Sequence, residues 1–341
     1  MRKITAVLFM LIVAGFTSLV LAQDVPEKKE TSSFSGVIFM EYMQDLADDH
    51  AGVFAVNRVY LDWKRGFGDI FSVRVTTDAL FERQGGSSSG TIDNNGYELL
   101  IKYAYLQAAP EIDPVKFTIQ AGVIPTPAIA LMNSLSGLRW IGNTYLGNSK
   151  VILQNKTIDS SADLGVTVSA EVMKIVTISG AVVKGEGYKK VQAENMVYGP
   201  SYYGLVSVNP LEHVYINGFY RYNETSTTTM MYYGGGLAWK DSIIKTGLNF
   251  VGVSYSNGTD TSGYFIEAWL NINFDSLIGM PVLGIGKAGY GNYEDAKQGI
   301  FGFGPGWQFN KYVQTVLYYE LTYDDSAAED HNLYVKVEAK F

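Results

Sequence analysis

The sequence contains no cysteine among its 341 residues. This absence excludes disulfide bonds, thiol chemistry and metal sites ligated by cysteine. Histidine is nearly absent too, with His50, His213 and His331 as the three residues of this type. The strand pattern described below puts His213 at the opposite end of the fold from the other two, so no Ser-His-acid set can form on one patch. Because no metal-ligand spacing occurs either, we expect no catalytic activity, no cofactor and no metal site.

An excess of positive charge is also lacking. Lysine and arginine total 26, against 34 aspartate and glutamate residues, and the formal net charge is −8 at pH 7. Binding to nucleic-acid phosphates needs a basic surface, so this balance argues against a nucleic-acid partner.

Long apolar runs are lacking except at the N-terminus, where ITAVLFMLIVAGFTSLVLA follows Arg2 and Lys3. The positive start and the small-residue end before Gln23 are typical of a signal peptide. We expect residues 1–22 to be cleaved and residues 23–33 to form a short periplasmic tail. The alternative is a transmembrane anchor, since the run is nearly long enough to span a bilayer.

The rest of the chain alternates apolar and polar residues with a period of two, as extended strands do. In KFTIQAGV, Phe117, Ile119 and Val123 share one face, and Lys116 and Gln120 share the other. The 24 tyrosines and 36 glycines also favour extended β-structure. The pattern predicts about sixteen strands, at residues 34–45, 53–64, 70–82, 97–109, 116–124, 161–172, 175–184, 201–209, 214–223, 229–239, 243–255, 262–274, 281–290, 298–308, 312–323 and 332–341.

The predicted connections alternate between short turns, such as RGFGD and PEIDP, and longer polar loops, such as RQGGSSSGTIDNNG and SNGTDTS. Outer-membrane β-barrels have this plan, with turns at the periplasmic end and loops outside. A soluble β-sandwich is the alternative, but a face almost free of charge in every strand would give it an implausibly large core. A lipid-facing belt around a wet lumen accounts for both faces.

Aromatic residues beside the predicted turns are typical of the girdle at a membrane interface: Trp63, Trp239, Trp307, Phe309 and Phe341. We therefore predict an all-β fold, a sixteen-stranded antiparallel transmembrane β-barrel over residues 34–341. The expected location is the bacterial outer membrane, where the barrel would contact lipid and lipopolysaccharide.

One predicted outer loop, the third, is much longer than the others and covers residues 125–160. It is rich in Ile, Leu, Met, Trp and Tyr, a composition that argues against disorder. A long apolar loop needs a surface on which to pack, and the lumen of a barrel of this size provides one. We expect this loop to fold inward and narrow the pore.

The same loop contains Arg139, Lys150 and Lys156 but no acidic residue from 126 to 158. Positive charge at a narrow constriction concentrates anions, so a weak anion preference is expected. The alternative is that these residues only pin the loop by pairing with wall carboxylates such as Asp78, Glu98 or Asp163. The wall residues predicted to line the constriction or bind solute with them are Arg74, Asp78, Glu98, Lys102 and Lys116.

Several stretches resemble the Gram-negative outer-membrane porins that are grouped with the phosphate-selective porins: RVYLDWKRGFGDIFSVRVTTDA, ELLIKYAYLQ, FTIQAGVIPTP and VSVNPLEHVYINGFY. The resemblance is clearest over residues 53–222. It implies a sixteen-stranded barrel, a homotrimer and passive uptake of small, often anionic solutes. This chain has neither the coiled-coil segment that many relatives carry after the signal nor an arginine ladder along the wall, so no binding residue is carried over.

The sequence ends in LYVKVEAKF, which alternates up to the terminal Phe341. We expect this strand to close the barrel against residues 34–45. Phe341 matches the last-strand signal that the barrel-assembly machinery reads in this class of barrels. The interpretation of the whole chain is a porin with a water-filled channel for small hydrophilic solutes or inorganic anions. The alternatives are a structural or adhesive barrel and a barrel enzyme without a general pore.

Overall fold

The structure, a computed structural model, describes residues 30–46, 52–81, 97–144, 146, 158–190, 199–224, 228–275, 279–294, 296–325 and 329–341. These residues form sixteen long strands: β1 (Thr31–Asp45), β2 (Val53–Phe67), β3 (Phe71–Phe81), β4 (Tyr97–Ala108), β5 (Val115–Pro125), β6 (Ala162–Val172), β7 (Val176–Val183), β8 (Ser201–Leu211), β9 (Val214–Glu224), β10 (Thr229–Lys240), β11 (Ile244–Ser256), β12 (Asp260–Asn273), β13 (Val282–Tyr293), β14 (Ala296–Gln308), β15 (Val313–Asp324) and β16 (Asp330–Lys340). An α-helix, α1 (Pro127–Ser136), and a 3-10 helix (Tyr188–Lys190) lie in connections.

Each strand pairs antiparallel with its neighbours along the chain, and β1 pairs with β16 to close the sheet. The predicted sixteen-stranded barrel is therefore confirmed. Closure leaves no strand edge with unpaired backbone groups, as a membrane-spanning sheet requires. The extended pair Glu111–Ile112, in the turn before β5, adds to the start of that strand.

Strand β16 shows how the alternation divides the two faces. Val335 is exposed on the outside, whereas Tyr334, Lys336 and Glu338 are buried on the inside. Successive side chains of a strand point to opposite faces, so every strand contributes to both. Large apolar side chains are exposed on the outer face around the barrel, among them Phe54, Leu99, Ile101, Leu106, Ile178, Leu237, Phe301 and Phe303. An apolar exterior around a polar interior is the reverse of a soluble barrel.

The predicted aromatic girdle lies on the exposed outer surface at the turn end: Trp63, Trp239, Trp307 and Phe309. Trp239 donates its indole N–H to Asp241, in the turn after β10, at 2.7 Å. Hydrogen bonds from the Ile244 N–H and from this indole hold the pKa of Asp241 below its usual range. A ring with its polar edge toward the turn has the orientation expected at a membrane–water interface.

The connections at the loop end differ from the prediction in the C-terminal half of the barrel. The connections 82–96, 126–161 and 184–200 are long, but 257–259 and 294–295 are tight hairpins, so the long loops predicted there are wrong. The polar residues of those segments continue the strands. Ser254 pairs with Ser262, and Ser256 with Asp260, because an extended backbone accommodates polar side chains at a barrel rim.

Helix α1 begins directly after β5. Thr126 is extended (φ −74°, ψ 131°), and Pro127 suits the first helical position because its ring presets φ. The helix ends at Gly137, whose φ of 65° is left-handed and whose N–H donates to the Asn133 carbonyl at 3.1 Å. Within the described part of the chain, no helix has the length and hydropathy needed to cross a membrane.

Candidate functional site: the interior of the barrel

Helix α1 packs against the inner face of β8 and β10–β12. Its residues Ile129 and Met132 are buried in one apolar cluster with the wall residues Tyr232, Val251 and Phe265. Burial of these side chains removes apolar surface from water, which stabilises the helix in this position. The inner wall thus supplies the apolar surface on which the long connection packs.

The residues after α1 contact the other side of the barrel. Leu138 and Trp140 are buried in a second cluster with Phe39 of β1 and Tyr334 of β16. Because β1 and β8 lie on opposite sides of the closed sheet, the connection crosses the interior.

Wall lysines hold the part of the connection that crosses the interior, residues 127–144, by its backbone; we call this part the crossing segment. Lys240 donates to the Ser134 carbonyl at 2.8 Å, and Lys336 donates to the Ile141 carbonyl at 2.8 Å. Lys287 donates to the carbonyl of Asn143. Charge-assisted hydrogen bonds of this kind are stronger than neutral ones, so they fix the height of the segment in the barrel.

The returning end of the connection is anchored by Asp159. Its carboxylate accepts hydrogen bonds from Tyr203 at 2.7 Å and Tyr232 at 2.5 Å. The buried Arg221 lies 3.5 Å from the same carboxylate and also donates to the carbonyl of Ile158. This buried network ties the connection to β8, β9 and β10.

Three cationic side chains converge on the hydroxyl oxygen of Tyr60. Arg58 donates to it at 3.0 Å, Lys102 at 2.9 Å and Arg139 at 3.0 Å. Arg58 and Tyr60 belong to β2 and Lys102 to β4, whereas Arg139 belongs to the crossing segment. The cluster therefore joins the wall to the loop.

Aromatic rings accompany these cations. The Lys102 ammonium lies 4.3 Å from the ring centroid of Tyr60, and the Arg139 guanidinium lies 5.9 Å from that of Phe39. The electron-rich face of a ring attracts a cation, so these rings help to hold the positive charges in place.

Asp78 is the carboxylate of this cluster, and its side chain is fully buried. It accepts hydrogen bonds from Arg58 at 2.9 Å and from the hydroxyl of Tyr188 at 2.8 Å. Burial raises the pKa of Tyr188, so its hydroxyl stays protonated and donates. Tyr188 comes from the connection after β7, so a second connection also reaches into the interior.

A neighbouring charge pair involves Arg74 and Asp62. Arg74 donates its Nε–H to the Asp62 carboxylate at 2.7 Å and lies 4.7 Å from the centroid of the Tyr103 ring. Thr76 donates to the same carboxylate. The charge of Arg74 is thus balanced locally, whereas the three cations around Tyr60 have Asp78 as their one carboxylate partner among the described residues.

The structure brings three of the predicted constriction residues together, namely Asp78, Lys102 and Arg139. Arg74 is next to them, on β3 with Asp78. Lys116 is exposed at the turn end of β5 and pairs in register with Glu111 and Glu171, away from the cluster. The side chain of Glu98 and the whole of Lys150 and Lys156 lie outside the described residues.

The sequence prediction missed Arg58, Tyr60 and Tyr188 as site residues. A signal existed for the first two, because the alternation in RVYLDWK puts Arg58 and Tyr60 on the polar face with Asp62. Nothing in the sequence indicates that Tyr188 reaches Asp78 from another connection.

Among the described residues, two of the predicted pinning partners, Asp78 and Asp163, are engaged elsewhere. Arg139 binds a tyrosine hydroxyl, and no described carboxylate lies within ion-pair distance of it. Asp78 is held by Arg58 and Tyr188. Asp163 accepts from the backbone N–H of Leu164 and of Gly185, each at 2.7 Å.

Comparison with known proteins identifies the fold of this chain. No family model matches the sequence, and no curated protein does. Solved structures match at low sequence identity over nearly the whole chain. The anion-selective porin from Comamonas acidovorans has a TM-score of 0.67 at 9% identity, with 92% of this chain and 100% of that chain covered.

Two further neighbours have the same architecture. OmpT, an outer membrane protein of Vibrio cholerae in a trimer form, has a TM-score of 0.62 at 9% identity, with 92% of this chain and 100% of that chain covered. The outer membrane channel DcaP of Acinetobacter baumannii has a TM-score of 0.57 at 11% identity, with 92% and 97% covered. The chain therefore has the barrel fold of bacterial outer-membrane porins and channels.

Proposed function

We propose that this chain is a bacterial outer-membrane porin, which lets small hydrophilic solutes diffuse passively through a water-filled channel. The observation that carries the proposal is the pairing of an apolar outer face with a polar, tyrosine-rich inner face in a closed barrel. The outer face suits lipid and lipopolysaccharide, and the inner face suits water.

The constriction in this proposal is the connection 126–161. Its support is the set of contacts that α1 and the following residues make with opposite sides of the inner wall. Two apolar clusters inside the barrel leave less room than an open lumen would, so the channel admits smaller solutes than an unobstructed barrel of this strand number.

The channel has a weak preference for anions in this proposal. Arg58, Lys102 and Arg139 meet at the crossing segment with Asp78 as their carboxylate, which leaves net positive charge there among the residues that the structure describes. A narrow throat with low-dielectric walls focuses this charge and enriches anions.

The proposed assembly is a homotrimer. The trimer form of the structurally similar OmpT supports this reading. A separate part of the proposal is that the C-terminal strand, which ends in Phe341, engages the barrel-assembly machinery.

The test is reconstitution of the purified protein. Liposome swelling with sugars of increasing size, and conductance in a planar bilayer, both register an open channel. We expect single-channel steps and swelling that falls off for larger sugars. Absence of both in correctly folded protein would favour the structural or adhesive barrel.

Selectivity has its own measurement, the zero-current potential across a bilayer in a potassium chloride gradient. We expect a sign that indicates chloride over potassium. A clear cation preference contradicts the anion proposal while leaving the porin proposal intact.

A further inference from the structure

We propose that Arg221 is a positioning residue that holds together the two connections that enter the barrel, 126–161 and 184–200. The width of the channel then depends on both connections, through residues 158–161 of the first and 184–190 of the second. This inference rests on the proposed channel function, because it concerns the same lumen. It goes beyond that function, since the constriction proposed above is the first connection alone.

The first argument is the set of groups that one guanidinium contacts. Arg221 lies on the inner face of β9 and is almost fully buried. It donates to the carbonyl of Ile158 in the first connection, and its Nη2 donates to the carbonyl of Gly185 in the second at 3.2 Å. Nη2 also donates to the hydroxyl of Ser201 at 3.0 Å. Backbone carbonyls of both connections therefore share one side chain as their donor.

The second argument is the close approach of the two connections to each other. Gly187 has a left-handed φ of 81°, and a β-carbon there would come within 2.6 Å of the side chain of Ser160. The backbone N–H of Gly185 donates to the carboxylate of Asp163, at the start of β6, at 2.7 Å. Residues 184–190 thus lie directly against the returning end of the first connection.

The third argument is the position of Tyr188, three residues after Gly185. Its hydroxyl donates to Asp78 at 2.8 Å, and Asp78 accepts from Arg58 at 2.9 Å. A chain of contacts therefore runs from Arg221 on β9, through the backbone of the second connection, to the charges at the constriction. If Arg221 releases this backbone, Tyr188 withdraws from Asp78 and leaves a wider lumen.

The chemistry of arginine suits this position. A guanidinium has five N–H donors in a fixed fork, whereas a lysine ammonium is a compact point charge with three. Asp159 lies 3.5 Å from Nη1 and balances the charge of Arg221. Arg221→Lys keeps a positive charge for Asp159 but cannot reach the carbonyls of both connections. This variant therefore separates the link between the connections from the ion pair.

The experiment measures conductance and size exclusion of the reconstituted full chain. Arg221→Lys should release Gly185, so that Tyr188 withdraws from the wall. We expect a higher single-channel conductance than in wild type, and liposome swelling with larger sugars than wild type admits. Equilibrium unfolding in vesicles checks that the variant is folded. Unchanged conductance and an unchanged range of sugars in folded Arg221→Lys would overturn the proposal.

Gly185→Ala tests the same link while the guanidinium and its ion pair stay in place, so it decides the question if Arg221→Lys does not fold. Gly185 has a φ of 97°, and a β-carbon there would come within 2.7 Å of the amide nitrogen of Asn223. The methyl group should push the Gly185 carbonyl away from Arg221, so we expect the same rise in conductance.

Gly258→Ala is the matched control for Gly185→Ala. Gly258 has a φ of 78°, but a β-carbon there meets no atom within 4 Å. The control therefore has the backbone strain without the displaced contact, and its conductance should match wild type. An equal rise in both variants would overturn the proposal.

A double-mutant comparison tests whether Arg221 acts through Tyr188. Tyr188→Phe should change the conductance of wild type but add nothing in Arg221→Lys, where the ring has already withdrawn. Additive effects would overturn the proposal. Tyr203→Phe weakens the same buried network at Asp159 without touching Gly185. It should lower the free energy of unfolding and leave the conductance unchanged, which separates positioning from a general loss of stability.

The wild-type recordings separate failure of this inference from failure of the channel proposal. A folded wild-type protein that does not conduct contradicts the channel proposal. Equal conductance in wild type, Arg221→Lys and Gly185→Ala contradicts this inference alone.

Discussion

The aromatic ring of Phe341 lies over Gly36 on the outer face of the seam where β1 and β16 close the barrel. A β-carbon at residue 36 would come within 2.2 Å of the ring. The Gly36 N–H donates to the Phe341 carbonyl at 2.8 Å, and the Phe341 N–H donates to the Gly36 carbonyl at 3.0 Å. The last residue of the chain therefore completes the seam with its backbone and fills a notch that glycine leaves open.

The first prediction tests this seam. Gly36→Ala should lower the free energy of unfolding by about 1–3 kcal/mol, because the ring must leave its place to admit a methyl group. In a Phe341→Ala background the same change should cost little, since the ring is gone. Urea unfolding in lipid vesicles measures the free energy of unfolding of wild type, of the two single variants and of the double variant.

The control for this double-mutant comparison of Gly36 and Phe341 is Gly204→Ala on β8. A β-carbon at residue 204 meets no atom within 4 Å, so this substitution should be nearly neutral in either background. Equal costs of Gly36→Ala with and without the ring would contradict the steric coupling. Slow membrane insertion of Phe341→Ala at unchanged stability would support its predicted role in assembly.

The second prediction concerns ion selectivity. Arg139→Glu should shift the zero-current potential toward cations, because it replaces a positive charge with a negative one at the crossing segment. Arg65→Glu is the matched control, since Arg65 lies on the outer face at the turn end. A similar shift in both variants would mean that Arg139 has no special position along the ion path.

The third prediction concerns the contact between Tyr188 and Asp78. Tyr188→Phe keeps the ring but removes the hydroxyl that donates to the buried carboxylate at 2.8 Å. We expect the connection 184–200 to detach more often, so trypsin should cleave faster at Lys189 or Lys190. Current fluctuations in open channels should increase as well.

Tyr222→Phe provides the comparison for that variant, because Tyr222 donates to Glu224 at the exposed loop end of β9. Trypsin sensitivity of this control should match wild type. An unchanged cleavage rate in Tyr188→Phe would show that other contacts suffice to hold the connection.

The fourth prediction concerns the anchor at Asp159. Asp159→Ala should reduce the free energy of unfolding by about 3–5 kcal/mol, because the buried Arg221 would lose its charge partner. Tyr203→Phe removes one neutral donor to the same carboxylate, and it should cost less, about 1.5–3 kcal/mol. Equilibrium unfolding in vesicles measures the free energy of unfolding of both variants. Similar costs would indicate that Arg221 finds another partner when Asp159 is removed.

The sequence predicted the strands well because a barrel wall has a simple periodicity. Each residue faces either outward or inward, so apolar and polar residues alternate wherever the wall continues. The prediction was wrong about the loop ends in the C-terminal half for the same reason. Polar residues such as Ser254 and Asp260 can belong to a strand at the rim, and polarity alone does not separate rim from loop.

The site was harder to predict because its members come from separate strands and connections. Lys102 and Asp78 were named from the polar face of the wall, but the partner of each depends on register and on which loops fold inward. Lys116 has the same residue type and the same face as Lys102, yet it lies at the turn end of the barrel. Distance along the strand decides which charges meet.

The sequence by itself determined the barrel, the apolar outer face and the expectation of a long inner loop, because these follow from local alternation and composition. Only the tertiary structure decided that Arg58, Lys102 and Arg139 share one tyrosine hydroxyl, and that Tyr188 reaches Asp78. Contacts of this kind depend on closure of the sheet, which places residues far apart in the chain within hydrogen-bonding distance. Closure is a property of all sixteen strands together, so no single segment encodes those contacts.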